Sequence, residues 1–100
     1  DLYDVVPEKF TLRQNYPNPF NPVTNIDLEL PEFAKTHLAI FDITGREVIT
    51  LINNENLNAG HYRYQVNANG LPSGMYFYRM VAISTSGNKY TDTKKLVLLK

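Results

Sequence analysis

Three of the six prolines of this chain, Pro17, Pro19 and Pro22, fall within six consecutive positions of the stretch Leu-Arg-Gln-Asn-Tyr-Pro-Asn-Pro-Phe-Asn-Pro, residues 12–22. Each proline fixes its own φ angle and lacks a backbone N–H. The residue before each proline is also displaced from helical geometry toward extended or turn conformations. Neither a helix nor a central strand tolerates this pattern. The sequence therefore predicts a stiff, non-repetitive segment over residues 12–22, called the strap below.

The strap also carries asparagines and large aromatic side chains. Asn15, Asn18 and Asn21 are residues whose side chains hydrogen-bond nearby backbone, which satisfies amides that have no sheet partner. Tyr16 and Phe20 are the large side chains, and we expect both to anchor the strap on a folded body beneath it.

Composition limits that body to one globular domain without a strong charge. The chain has 100 residues, 43% of them hydrophobic, and ten Lys plus Arg balance ten Asp plus Glu. This length favours a single core, and a balanced charge gives no field that would attract nucleic acid. The chain contains no cysteine, which excludes disulfides, thiolate zinc sites and a cysteine nucleophile.

Alternation of apolar and polar residues predicts strands at intervals along the whole chain. The clearest run is Ile26–Leu30, and others are expected at residues 38–41, 48–51, 62–66, 75–84 and 90–99. Residues 53–59 are rich in asparagine and predict a polar loop, and residues 1–11 predict a linker. Six or seven short strands separated by turns, with no helical period, predict an all-β antiparallel sandwich.

Turn residues separate these runs. Asp42 and Gly45 stand at the first and fourth positions of a four-residue stretch that suits a type I turn followed by a glycine with positive φ, and this predicts a hairpin. Gly60 and Gly74 stand at the starts of the next two apolar runs. We assign these four residues structural roles in turns.

Residues that could carry chemistry are scattered, and no catalytic, metal or cofactor site is predicted. His37 and His61 stand alone, without spaced metal-ligand partners. Ser73 lies one place too late for a G-x-S-x-G nucleophile elbow. The aromatic residues suggest either a platform for sugar rings or ordinary core packing, of which packing is favoured; they are Tyr62, Tyr64, Tyr76, Phe77 and Tyr78.

Several motifs in order and spacing carry a family resemblance. They are Gln14-Asn-Tyr-Pro-Asn-Pro-Phe-Asn-Pro22, Ile26-x-Leu-x-Leu-Pro31, Leu38-x-Ile-Phe-Asp-x-x-Gly-Arg-x-Val48, Ala59-Gly-x-Tyr62, Leu71-Pro-Ser-Gly-x-Tyr-x-Tyr-Arg79 and Lys94-Lys-Leu96. As a set they closely resemble the type A C-terminal sorting domain of the type IX secretion system.

The resemblance implies a non-enzymatic, immunoglobulin-like sandwich at residues 12–100 that follows a cargo protein. It implies an address that the secretion machinery reads in the periplasm: a shuttle protein, an outer-membrane translocon and a cell-surface sortase. The sortase commonly removes the domain, and the cargo ends at the cell surface or outside the cell. No nucleic acid, small-molecule substrate or cofactor is expected.

Candidate recognition residues follow from the strap and from exposed cations. They are Asn15, Tyr16, Pro17, Asn18, Pro19, Phe20, Asn21, Pro22, Arg46, Arg79, Lys94, Lys95 and Lys100. Exposed ion pairs would explain the cations almost as well, and an edge strand could accept a partner strand. Two other functions stay open on the residues alone: a carbohydrate-binding or adhesive module, and a passive spacer between domains.

Overall fold

This computed structural model describes residues 6–99 of the chain. They contain seven strands and no helix. The strands are β1 (Thr11–Leu12), β2 (Val23–Leu30), β3 (Ala34–Phe41), β4 (Glu47–Leu57), β5 (Gly60–Asn67), β6 (Gly74–Ser84) and β7 (Lys89–Leu98). Within this range there is no helix long and apolar enough to cross a membrane.

The strands form two antiparallel sheets. One sheet has three strands in the order β1-β2-β5, and the other has four in the order β4-β3-β6-β7. The chain passes between the sheets after β2, β4 and β5, so neighbouring segments of sequence build both layers. The prediction of an immunoglobulin-like antiparallel sandwich of about seven strands is confirmed.

The core lies between the sheets and follows from the period-2 alternation. In β2 the inward row is fully buried while its neighbours are half-exposed, and in β6 the row from Tyr76 to Ala82 is buried. Successive strand residues point to opposite faces, so one apolar row per strand is enough to fill the core. The expected central strand at residues 75–84 is confirmed, because β6 lies between β3 and β7.

The predicted hairpin is confirmed, and the predicted loop at residues 53–59 is wrong for most of its length. β3 and β4 pair antiparallel around the turn that begins at Asp42, but β4 continues to Leu57. Shifts in register let the polar stretch stay paired, and Asn54 takes a φ of 53° at this irregular part of the strand. Asparagine tolerates that conformation. An asparagine-rich stretch that is typical of loops can therefore remain paired in a sheet at a bulge.

Candidate functional site

The strap joins the two sheets through backbone hydrogen bonds. On one side, Tyr16 exchanges two bonds with Asn25 of β2, at 3.0 and 3.1 Å. On the other side, the Phe20 N–H donates to the Val97 carbonyl at 3.0 Å, and the Leu99 N–H donates to the Phe20 carbonyl at 2.8 Å. The segment that could not enter a regular strand therefore closes the sandwich from outside.

Side chains of the strap complete the cover over the edge of β7. The Asn18 Oδ1 accepts a hydrogen bond from the Val97 N–H at 2.9 Å, and the Gln14 Nε2 donates to the Lys95 carbonyl at 2.8 Å. Unpaired groups on an edge strand invite pairing with other chains. From Lys95 to Leu99, the strap forms hydrogen bonds with the backbone groups that face away from the sheet.

Asn15 of the strap and Tyr78 of β6 belong to one buried network of hydrogen bonds. The Asn15 N–H donates to the Tyr78 hydroxyl at 2.8 Å, and that hydroxyl donates to the Arg13 carbonyl at 2.7 Å. The side-chain Nδ2 of Asn15 donates to the Pro17 carbonyl and to Thr24 Oγ1, both at 3.1 Å. Burial raises the pKa of Tyr78 to about 12, so the phenol keeps its proton and stays a donor.

The two predicted aromatic anchors behave differently. Phe20 is 2% exposed and belongs to the core cluster, so its predicted anchoring role is confirmed. Tyr16 is 81% exposed, and its predicted anchoring role is wrong. Tyr16 pairs with β2 through its backbone, and adjacent residues of an extended segment point to opposite sides. Asn15 takes the inward position, while Pro17, Asn18, Pro19 and Asn21 are exposed and Pro22 is half-buried.

The turn after β3 is held by one carboxylate. Asp42 Oδ1 accepts hydrogen bonds from the Thr44 N–H, the Thr44 hydroxyl and the Arg46 N–H, at 2.9, 2.6 and 3.1 Å. Asp42 Oδ2 accepts one from the Arg46 Nε at 3.1 Å. These donors, the Thr44 hydroxyl foremost, hold the pKa of Asp42 below its ordinary 3.8. Gly45 takes a φ of +87°, as the turn sequence predicts.

The predicted cationic candidates do not form one cluster. Arg46 forms an ion pair with Asp42, and the Lys94 Nζ lies 3.7 Å from Asp92 Oδ2. Arg79 and Lys95 lie on the outer face of the four-stranded sheet, and neither forms an ion pair within residues 6–99. Lys100 lies outside the described residues.

On the outer face of the three-stranded sheet, opposite charges meet across neighbouring strands. Arg13 and His61 both contact Glu29 Oε2, at 2.9 and 3.1 Å, and the Arg63 Nε lies 2.8 Å from Asp27 Oδ1. Hydrogen bonds from Arg63 and Arg13 hold the pKa values of Asp27 and Glu29, respectively, below their ordinary range. This face is neutralised by its own side chains.

The aromatic residues are arranged as core rather than as a platform. Tyr76 and Tyr78 are buried, Tyr62 and Tyr64 pack against the core at its border, and Phe77 lies on the opposite face of β6. His37 faces Glu47 across 3.5 Å. In the described part of the chain, no group of three or more histidine or carboxylate side chains is placed to hold a metal ion.

A family model described as a secretion system C-terminal sorting domain matches residues 14–99, from the strap to the end of β7. The chain belongs to this family. The match confirms the predicted type IX sorting-domain resemblance, and it implies interaction with that secretion system and export toward the cell surface or beyond.

Solved structures support the sorting domain's fold. The crystal structure of CopC from Methylosinus trichosporium OB3b superposes with a TM-score of 0.56, covering 89% of this chain and 92% of CopC. The two share 13% sequence identity, so the likeness concerns the β-sandwich alone. No curated protein matches the sorting domain by sequence.

Sequence reasoning missed two features of the sorting domain. The Asn15–Tyr78 network joins residues 63 positions apart, and no local pattern reveals such a pair. The second feature is an apolar cluster on the outer face of the four-stranded sheet, at Phe41, Ile43, Met75 and Phe77. Its signal was present, because β6 carries large apolar residues on both faces.

Proposed function

We propose that this domain is the C-terminal address of a larger exported protein. The secretion machinery reads it in the periplasm through a shuttle protein and the outer-membrane translocon, and a cell-surface sortase then removes it. The sortase attaches the cargo to surface lipopolysaccharide or releases it outside the cell. The observation that carries the proposal is the family match over residues 14–99.

The strap brings two of the family motifs of this address together. It is hydrogen-bonded to β2 through Tyr16 and to the end of β7 through Gln14 and Phe20, so the first and last sequence motifs lie side by side. Any enzymatic activity then belongs to the attached cargo rather than to these residues.

We place the sortase cut in the linker, before Phe10. The Phe10 ring stacks on Tyr90 with centroids 5.5 Å apart, and Thr11 pairs with Glu29 in β1. Proteolysis needs a segment that is not tied down by packing and backbone hydrogen bonds. Of the proposed linker, residues 1–11, these last two residues contact the sandwich and are poor sites for cleavage.

The test is export of a reporter joined to the N-terminus of residues 1–100 behind a periplasmic export signal. In a strain with intact type IX machinery, the reporter should become accessible to protease on whole cells. In the isogenic strain without the translocon, it should remain periplasmic, as should the reporter without this chain. In a sortase-deficient strain, the fusion should keep its full length.

Equal surface exposure in the strains with and without the translocon would overturn the proposal. A passive spacer predicts instead a reporter that stays periplasmic in both strains, and that outcome would also overturn the proposal. A glycan-binding module needs an exposed tyrosine face, and the burial of Tyr76 and Tyr78 disfavours it.

A further inference from the structure

A cluster of large apolar and basic side chains lies at the turn end of the four-stranded sheet. Phe41 and Phe77 are direct cross-strand partners, as are Phe77 and Lys95. Ile43 and Met75 line a shallow depression at the same end, and Phe41, Ile43 and Arg79 line the neighbouring one. We call these six residues the apolar–basic patch; they are Phe41, Ile43, Met75, Phe77, Arg79 and Lys95.

The apolar part of the patch is held outward by a rigid turn. Ile43 is 73% exposed, although it sits in the turn that Asp42 fixes with four hydrogen bonds. A backbone that is already held in one conformation loses little freedom when a partner covers it, so covering Ile43 costs little in loop ordering. Met75 beside it is also exposed. Exposed large apolar side chains that adjoin one another mark interaction sites more often than isolated ones do.

The basic part of the patch consists of Arg79 and Lys95, which form no ion pair among the described residues. The Arg79 guanidinium lies 5.4 Å from the centre of the Phe41 ring and donates to Thr93 Oγ1 at 3.2 Å. Within residues 6–99 neither Arg79 nor Lys95 lies within 4 Å of a carboxylate. The carboxylate of the adjoining turn, Asp42, is already paired with Arg46.

On the outer face of the three-stranded sheet, by contrast, the arginines are paired with carboxylates. There, the arginines at positions 13 and 63 each meet a carboxylate across the strands within 3 Å. Aromatic residues, methionine and arginine are enriched where proteins bind one another, and complementary charges steer the encounter. The two positive charges call for carboxylates on the occupant.

We infer that the apolar–basic patch docks a protein of the secretion machinery whose contact surface has an apolar centre and carboxylates at its rim. This inference rests on the proposed sorting function. It differs from strand addition at a sheet edge, because the patch uses side chains on a sheet face and needs no free backbone groups.

The test compares reporter fusions in the strain with intact machinery. The Arg79→Glu/Lys95→Glu variant reverses the two positive charges of the patch, and Ile43→Ser removes its apolar side chain on the turn. Each should reduce surface-exposed reporter at least about tenfold, the effect of losing about 1.4 kcal/mol of binding. The charge-conserving variant Arg79→Lys/Lys95→Arg should keep most of the export.

The matched control is Lys35→Glu/Lys89→Glu. These lysines flank Ile83 on the same sheet, six residues along β3 from Phe41, a separation of about 20 Å. The control makes the same change of charge on the same sheet and should leave export within about twofold of the unaltered chain. Urea midpoints of all variants should agree; where charge reversal lowers the midpoint, Ile43→Ser decides.

The outcomes separate this inference from the proposed function. Export of the unaltered fusion that does not depend on the machinery would overturn the proposed function. Export that depends on the machinery but is unchanged in Arg79→Glu/Lys95→Glu and Ile43→Ser would overturn the patch alone. A dimer of the isolated chain that these variants convert to monomer in sedimentation would assign the patch to a second copy and would also overturn the inference.

Discussion

The strap and the turn after β3 are both irregular segments held by side-chain to backbone hydrogen bonds, yet they direct their side chains oppositely. In the strap, Asn15 and Phe20 point inward and are almost fully buried. In the turn, the hydrogen bonds of Asp42 leave Ile43 exposed to solvent. The strap closes the sandwich, whereas the turn presents an apolar contact at its surface.

The segment with the most distinctive sequence need not be the segment that contacts a partner. The strap is the most unusual stretch of the chain, but its proline pattern and its buried side chains have a sufficient explanation in closing two sheets over one core. The turn is ordinary in sequence, and its neighbours Arg79 and Lys95 form no ion pair in the described part of the chain. We therefore expect substitutions in the buried half of the strap to act on stability and substitutions around the turn to act on recognition.

The largest expected effect is that of Phe20→Ala. Removing a fully buried ring from the core leaves a cavity and should lower the free energy of unfolding by about 3–5 kcal/mol. Urea denaturation followed by circular dichroism measures this, with Ile43→Ala as a control of similar apolar character at an exposed site. A loss below about 0.5 kcal/mol, the range of ordinary surface changes, would show that the strap does not anchor the fold.

Tyr78→Phe should follow in size. The substitution removes the hydroxyl that bonds the Asn15 N–H and the Arg13 carbonyl and leaves both without that partner, at a cost of about 1–3 kcal/mol. Tyr64→Phe is the matched control, because the Tyr64 hydroxyl makes no hydrogen bond within residues 6–99. Equal unfolding free energies for the two variants would contradict the role given to the network.

For the turn, Gly45→Ala should cost about 1–2 kcal/mol, because an alanine disfavours the φ of +87°. A Cβ at this position meets no atom within 4 Å, so the cost comes from the backbone alone. Gly45→Asn should cost less, since asparagine tolerates positive φ. A urea midpoint for Gly45→Ala equal to that of the unaltered chain would contradict this assignment.

Acid should weaken the paired outer face. The pKa values of Asp27 and Glu29 are lowered in the folded state, so their pairs stabilise the domain above the ordinary values of 3.8 and 4.5. That contribution is lost as pH falls through the lowered values. Urea midpoints at pH 6 and pH 3 should differ less in Arg63→Gln than in the unaltered chain. An unchanged difference would indicate that the Arg63–Asp27 pair contributes nothing to the acid sensitivity.

The smallest stability effect is expected for Tyr16→Ala. The Tyr16 side chain is exposed and its strap contacts are made by the backbone, so the free energy of unfolding should change by less than about 0.5 kcal/mol. The ratio of this effect to that of Phe20→Ala measures how strictly the strap divides into buried and exposed residues. A Tyr16→Ala effect comparable to that of Phe20→Ala would abolish the division.

Alternation of residue types was enough to predict β2 to β7, the β3–β4 hairpin and the buried row of β6, because period 2 is a local property. The two-residue strand β1 was not predicted, since it is too short to show a period. The inward position of Asn15 was not predictable, since it depends on a backbone pairing with Asn25 and on a tyrosine 63 positions away. The apolar–basic patch needed three strands placed side by side. Local composition also failed at residues 53–57, where the sheet register keeps polar residues in β4.

The most direct test of the account is the surface exposure of two reporter fusions of equal stability in a strain with intact type IX machinery. One carries Tyr16→Ala/Asn21→Ala on the exposed half of the strap, and the other carries Arg79→Glu/Lys95→Glu in the apolar–basic patch. The account predicts that the strap variant reaches the surface like the unaltered chain while the patch variant is retained in the periplasm. Retention of the strap variant with normal export of the patch variant would contradict it.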